Sequence, residues 1–186
     1  MKLNPTITLS VLALMLSVNA CKPKKSLQKS EGSVEITNIP LSTKEYKTNK
    51  DYFRATTSGK SPDMAASKKI AMLNAKSEMA SSIQSTVKKV SEQYTNQVTV
   101  GNKMEFEAKF EELQREVVSQ KMSDVRIAGE KILKQPDGSF EYWICLEMAK
   151  DAILNGIQNS DKNKLNYDKK KYEEIFNQEM QKLEGQ

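Results

Sequence analysis

Arg54-Ala55-Thr56-Thr57-Ser58-Gly59-Lys60-Ser61-Pro62-Asp63, RATTSGKSPD, joins a short aromatic run, Tyr52-Phe53, to a long helical pattern. Whether it is a phosphate-binding loop or a plain passage from strand to helix decides how the chain is built. Gly-Lys-Ser ends the P-loop motif G-x-x-x-x-G-K-[ST], in which successive backbone N–H groups wrap phosphates. Counting back from Gly59, the first glycine of that motif would stand at position 54, which is arginine. Pro62 has no N–H to give where the helix start should donate one to phosphate. No apolar run ends in the aspartate such proteins need, since Trp143-Ile144-Cys145-Leu146 runs into Glu147. No nucleotide site is expected. Residues 52–57 instead read as a strand, Gly59 as a sharp turn and Lys60 as a solvated turn residue. Ser61 reads as the N-cap and Pro62 as the first helical residue, with Asp63 favouring the positive helix end.

The helical pattern that follows is long. Met72, Ala75, Met79, Ile83, Val87, Val90, Tyr94 and Val98 recur every three or four residues and share one face. A helix from 62 to about 97 would run roughly 54 Å at 1.5 Å per residue, so it should overhang a small core or kink. Val100-Gly101-Asn102 breaks it. Met104, Phe106, Phe110, Leu113 and Val117 then make a second amphipathic stripe, which predicts a helical hairpin projecting from the sheet. Residues 124–133 read as a strand with Gly129 at a bulge, and Pro136-Asp137-Gly138 as a turn. Phe140, Tyr142, Ile144, Leu146 and Met148 alternate with Glu141, Trp143, Cys145 and Glu147, so one strand face is wholly apolar. Residues 149–157 read as a short helix, 160–166 as a polar break. Leu165, Tyr172, Phe176, Met180 and Leu183 mark a last amphipathic helix that either packs back or binds a partner. The expected fold is α+β: about three antiparallel strands packed by a long helix in a projecting hairpin, plus a C-terminal amphipathic helix.

The N-terminus points to a compartment. Lys2 precedes a twelve-residue apolar run, Ile7 to Val18, which is shorter than the roughly 20 residues a spanning helix needs. It suits the core of a secretory signal. Ser17-Val18-Asn19-Ala20-Cys21 resembles the lipobox of bacterial lipoproteins, which implies cleavage before Cys21 and acylation of that residue. Two or more acyl chains hold a protein stably on a membrane. Residues after Cys21 are polar and Lys-rich and cannot bury a core. The chain thus divides into a signal at 1–20, a lipidated tether at 21–50, a domain at 51–157 and a helix at 158–186. Lys22 replaces the aspartate that retains some lipoproteins at the inner membrane, so the outer membrane facing the periplasm is expected.

Composition excludes several chemistries. Removing residues 1–20 takes away only Lys2 among the charged residues and leaves a net charge of +4 over 166 residues. Positive and negative residues are interleaved, unlike a nucleic-acid footprint. There is no histidine, which removes Ser-His-Asp and Cys-His nucleophile systems and the commonest metal ligand. With Cys21 acylated, Cys145 is the second and last cysteine, placed in an apolar run without a basic partner. Glu107/Glu111 and Glu112/Glu116 lie one helical turn apart, but Lys103, Lys109 and Arg115 intersperse them as on a salt-bridged surface. Neither an enzyme, a cofactor nor a metal is expected.

Phe53-Arg54-Ala55, then Gly59, then Ala71, Ala75 and Met79-Ala80, with Val125-Arg126-Ile127 and Phe140-Glu141-Tyr142-Trp143 later, resemble the LPP-twenty lipoprotein family over residues 50–157. Thr57 departs from it, standing where a second glycine is common. The resemblance implies an α+β domain on a lipidated tether, no enzymatic activity and no active site to carry over. The expected role is a contact module of the cell envelope, bound to the membrane through Cys21 and to an envelope protein or its own copies. Tyr94, Val98 and Val100 at the hairpin tip are its candidate contacts, and simple hairpin packing against Met104 and Phe106 competes with that role for each. The alternative is a module binding a lipid, glycan or peptide, through Trp143, which can stack on a sugar, and Arg54, which can pair with a carboxylate or phosphate. Packing of Trp143 under a helix and of Arg54 in an ion pair competes with that role.

Overall fold

The computed structural model describes residues 38–160 and 165–184, and the lipobox reading at Cys21 lies outside them. Strand β1 (Tyr52–Ser61) is followed by helix α1 (Met64–Gln97) and helix α2 (Lys103–Lys121). A hairpin of β2 (Arg126–Lys134) and β3 (Phe140–Ala149) then leads into α3 (Lys150–Gln158) and, later, α4 (Lys169–Leu183). The three strands form one antiparallel sheet in the order β1-β3-β2, so the α+β expectation holds.

β3 sits in the centre because it alone is apolar on one face along its whole length. Tyr142, Ile144, Leu146 and Met148 are buried there against α1. β1 pairs with all ten residues of β3, from Tyr52 opposite Ala149 to Ser61 opposite Phe140. That register corrects the reading of RATTSGKSPD. Gly59, Lys60 and Ser61 are strand residues, and there is no turn at Gly59. The glycine is needed because α1 crosses the sheet there. A Cβ on Gly59 would lie 2.5 Å from Ala71 N and 2.5 Å from Ser67 O. The helix begins two residues later than expected, with Asp63 as N-cap: its carboxylate accepts from Ala66 N at 2.7 Å. Ser61 only braces the approach, accepting from Asp63 N at 3.2 Å.

The 34 residues of α1 span about 51 Å at 1.5 Å per residue. The first half packs Ala71, Ala75 and Met79 on the sheet. The second half does not overhang into solvent. Asn102 caps α2 by accepting from Glu105 N at 3.2 Å, and α2 folds back along α1. α4 lies against α1 as well, so of the two readings of the last helix it packs back, within one compact unit, Asn38–Gln186. Between them Tyr94, Phe106, Phe110, Tyr167 and Tyr172 form an aromatic cluster, with Phe110 and Tyr172 centroids 5.0 Å apart. Of the expected α2 stripe only Met104 is not used: it is 82% exposed in the first turn. The bulge stands at Ala128, where the β2 register shifts between Ile127 and Gly129. Gly138, at φ 82°, turns the hairpin.

Among the described residues, Glu179 is the one carboxylate sunk in this helical layer. Burial alone would push its pKa up. Lys182 at 3.0 Å, Gln93 Nε2 at 3.0 Å and Lys89 at 4.0 Å outweigh burial and hold it below the ordinary value. A lowered folded pKa adds stability above the unfolded value, about 4.3 for glutamate, and loses it as pH falls through the folded value. Glu179→Gln should therefore flatten the acid limb of stability. Urea midpoints measured from neutral pH downward would show wild type falling faster than the variant, and parallel curves would refute the assignment.

Residues 38–50 are not the free tether the sequence suggested. They form a strap over the sheet face opposite α1, with a short 3₁₀ turn at Lys44–Tyr46. Tyr46 packs where a Cβ on Gly129 would otherwise sit, 2.5 Å from its Cε1. The Thr48 hydroxyl donates to Arg54 O at 3.1 Å and accepts from Arg54 N at 2.9 Å, which closes the outer edge of β1. Asn74 Nδ2 adds a bond to Ser58 O at 3.2 Å. Among the described residues, nothing comparable closes the outer edge of β2.

Candidate functional site

Arg54 and Trp143, 89 residues apart in sequence, line one cavity of about 430 Å³ between the strap and the sheet. β1 and β3 bring them there because both residues point away from α1, Arg54 opposite Glu147 and Trp143 opposite Ser58. Ile39, Leu41, Tyr46 and Thr56 supply further wall. The size falls within the range of small-molecule sites, roughly 300–1,000 Å³.

The guanidinium of Arg54 is already engaged. Its Nε and Nη2 donate to the same Glu147 Oε2 at 3.2 and 3.0 Å, and Nη1 donates to Lys47 O at 3.1 Å. The Tyr52 ring lies below it, 5.2 Å to the centroid. With only 12% of its side chain exposed, Arg54 locks the strap and β1 to β3 rather than presenting a free charge. An anionic ligand would have to displace Glu147.

Trp143 is not packed under a helix. It lies on the strap face, and its indole N–H is buried without an acceptor, as is Thr56 Oγ1 without a partner. Leaving such a group unpaired costs about 1–3 kcal/mol. Leu41, at φ 55°, holds a left-handed backbone that a side chain disfavours, and it too lines the cavity. Sequence reading found Arg54 and Trp143 as residue types but missed Tyr46, Thr56 and Leu41. The available signal was the apolar trio Ile39-Pro40-Leu41 and Tyr46 inside a polar lead.

Cys145 is fully buried on this face, its thiol donating to Tyr46 O at 3.6 Å. Burial pushes its pKa up, which keeps it a thiol and a poor nucleophile. The acidic side chains on α2 are spread over surface ion pairs, Lys103 with Glu107 at 3.8 Å, Arg115 with Glu111 at 3.0 Å and Lys109 with Glu105 at 2.6 Å. Among the described residues, no cluster of three His, Cys, Asp or Glu side chains is placed to hold a metal ion, and no helix is long and apolar enough to cross a membrane.

At the hairpin tip Tyr94 takes the packing role. Tyr94 is 1% exposed, stacks on Phe106 at 5.8 Å and accepts from Asp168 N at 2.8 Å through its hydroxyl. Val98 and Val100 are half-buried against the same core. Set against known proteins, the chain matches no family model, no curated protein and no solved structure.

Proposed function

We propose that this chain is a bacterial lipoprotein held on a membrane by acyl groups on Cys21. It presents a non-enzymatic domain, similar to the LPP-twenty type, to the periplasm from the outer membrane. The domain works by contact with other envelope proteins or with its own copies. One observation carries the reading: a short apolar run, Ile7 to Val18, that leads through small residues into Ala20-Cys21 and is followed by a polar, Lys-rich stretch. The self-contained hydrophobic core supports it, since a rigid body on an anchor needs no ligand to fold.

The test is made in intact cells. Labelled palmitate should enter the wild-type chain and not Cys21→Ser, and the variant should leave the membrane fraction. In vivo cross-linking should capture a companion, or a second copy, that the variant loses. Label retained on the variant would end the lipoprotein reading. The chain recovered alone would end the contact reading.

A second reading is favoured by a specific observation, that Arg54 and Trp143 share one cavity with a buried, unpaired indole N–H. The ligand would be a small lipid, glycan or peptide that accepts from Trp143 once the strap lifts. Trp143 is the sole tryptophan, so its emission should shift with such a ligand. A flat response across lipid, muropeptide and glycan panels would count against it.

A further inference from the structure

We infer that the outer edge of β2 is a strand-addition site for an extended polypeptide segment that alternates acidic and apolar side chains. It rests on the reading of the domain as a contact module and needs nothing of the anchor.

The edge is unclosed. β2 is nine residues long and pairs on one side only. On an antiparallel edge every second residue turns its N–H and C=O outward. Among the described residues, no backbone or side-chain group bonds to those of β2. The β1 edge, by contrast, is closed by Thr48 and Asn74. The bulge at Ala128 interrupts the pattern, and beyond it the regular run 129–134 is a template for another strand.

The side chains along it sort by face only in part: Glu130 and Lys134 share the α1 face with Ile127 and Ile132, and Leu133 shares the other face with Arg126 and Lys131. Register with Leu146 and Tyr142 puts Ile127 and Ile132 on the α1 face, where they are 46% and 45% exposed. α1 covers β1 and β3 and leaves this margin bare. Its own Leu73, 63% exposed, and Met72 stand beside a shallow depression of about 630 Å³ between Lys68, Lys69 and Lys76. Register with Glu147 and Trp143 puts Arg126 and Lys131 on the opposite face. Among the described residues, Arg126, Lys131, Lys69 and Lys76 make no ion pair. Glu130, the only acid on β2, is already held by Lys68 at 3.3 Å and by the Tyr142 hydroxyl.

This pattern selects the occupant. An incoming strand with apolar residues on one face and carboxylates on the other would cover Ile127 and Ile132 and meet Arg126 and Lys131. Facing charges across strands stabilise the pairing when opposite and destabilise it when like. A second copy pairing β2 to β2 would set these cations against one another, so the edge resists its own kind. A lipid surface could neutralise the cations but not the outward N–H and C=O groups.

The probe is a fluorescein-labelled peptide of sequence EVEIEVE, titrated by anisotropy into the full chain in non-ionic micelles. Saturable binding is expected, with slowed hydrogen exchange confined to β2. Reversing both exposed cations, Arg126→Glu with Lys131→Glu, should weaken it by about tenfold or more while circular dichroism is unchanged. The same composition as EEEEVVI should bind equally poorly. No saturable binding, equal binding of the two peptides, or indifference to the double reversal would overturn the inference. So would phosphatidylglycerol vesicles that bind the micelle-free chain when the peptide does not, which would assign the face to lipid. These failures leave the cross-linking test of the contact module standing on its own.

Discussion

Gly59→Val should cost at least about 3 kcal/mol, the upper end of what overpacking costs, and measured urea midpoints should show it. Most of the loss is expected from the first carbon alone. A Cβ at this position meets Ala71 N and Ser67 O at 2.5 Å, and both are backbone of α1. A flexible side chain could swing aside, but a helix backbone can retreat only by lifting off the sheet. Lifting it would pull Ala71 and Ala75 out of contact and expose Ile144, all fully buried now. Thr57, whose hydroxyl donates to Ala71 O at 2.9 Å, would lose that bond too. Gly101→Val is the matched control. A Cβ there meets nothing within 4 Å, so the change should stay within about 0.5 kcal/mol. Equal midpoints for the two variants would show that α1 does not bear on Gly59.

Phe110→Ala should cost about 3–5 kcal/mol, the range for emptying a phenylalanine site in a core. The ring is 1% exposed and touches Phe106, Tyr167 and Tyr172 at centroid distances of 5.6, 5.8 and 5.0 Å. It therefore joins α2 to the segment entering α4, and to α4 itself. None of its neighbours can collapse into the vacancy without giving up a ring contact of its own. Met104→Ala, on the same helix but exposed, should be near neutral. A loss at Phe110 below about 1 kcal/mol would mean the aromatic cluster is ornamental to folding.

The sheet was legible because its signal is local. Alternation in 140–148 names both the strand and its buried face, and the turn at Gly138 follows from composition. Gly59 was misread for a physical reason. A glycine that turns the chain and a glycine that lets a helix approach look alike in sequence, and only the ten-residue pairing with β3 separates them. The stripe of α4 was visible, but a stripe does not name what covers it. The strap was hidden because four apolar residues in a polar lead carry no period. Arg54 and Trp143 were legible as chemistry, while the cavity between them depends on the register of β1 with β3 and on the strap. That Arg54 is spent on Glu147 follows from the same register and could not be read from either residue alone.

The unbroken run of α1 has a mechanical consequence. Its first turns are clamped to the sheet by Ala71 and Ala75, and its last turns by Tyr94 among the aromatic rings. No joint separates the two grips. A pull on a strand held at β2 would reach α1 through β3, which the helix covers, and be carried along it toward the far end of the hairpin.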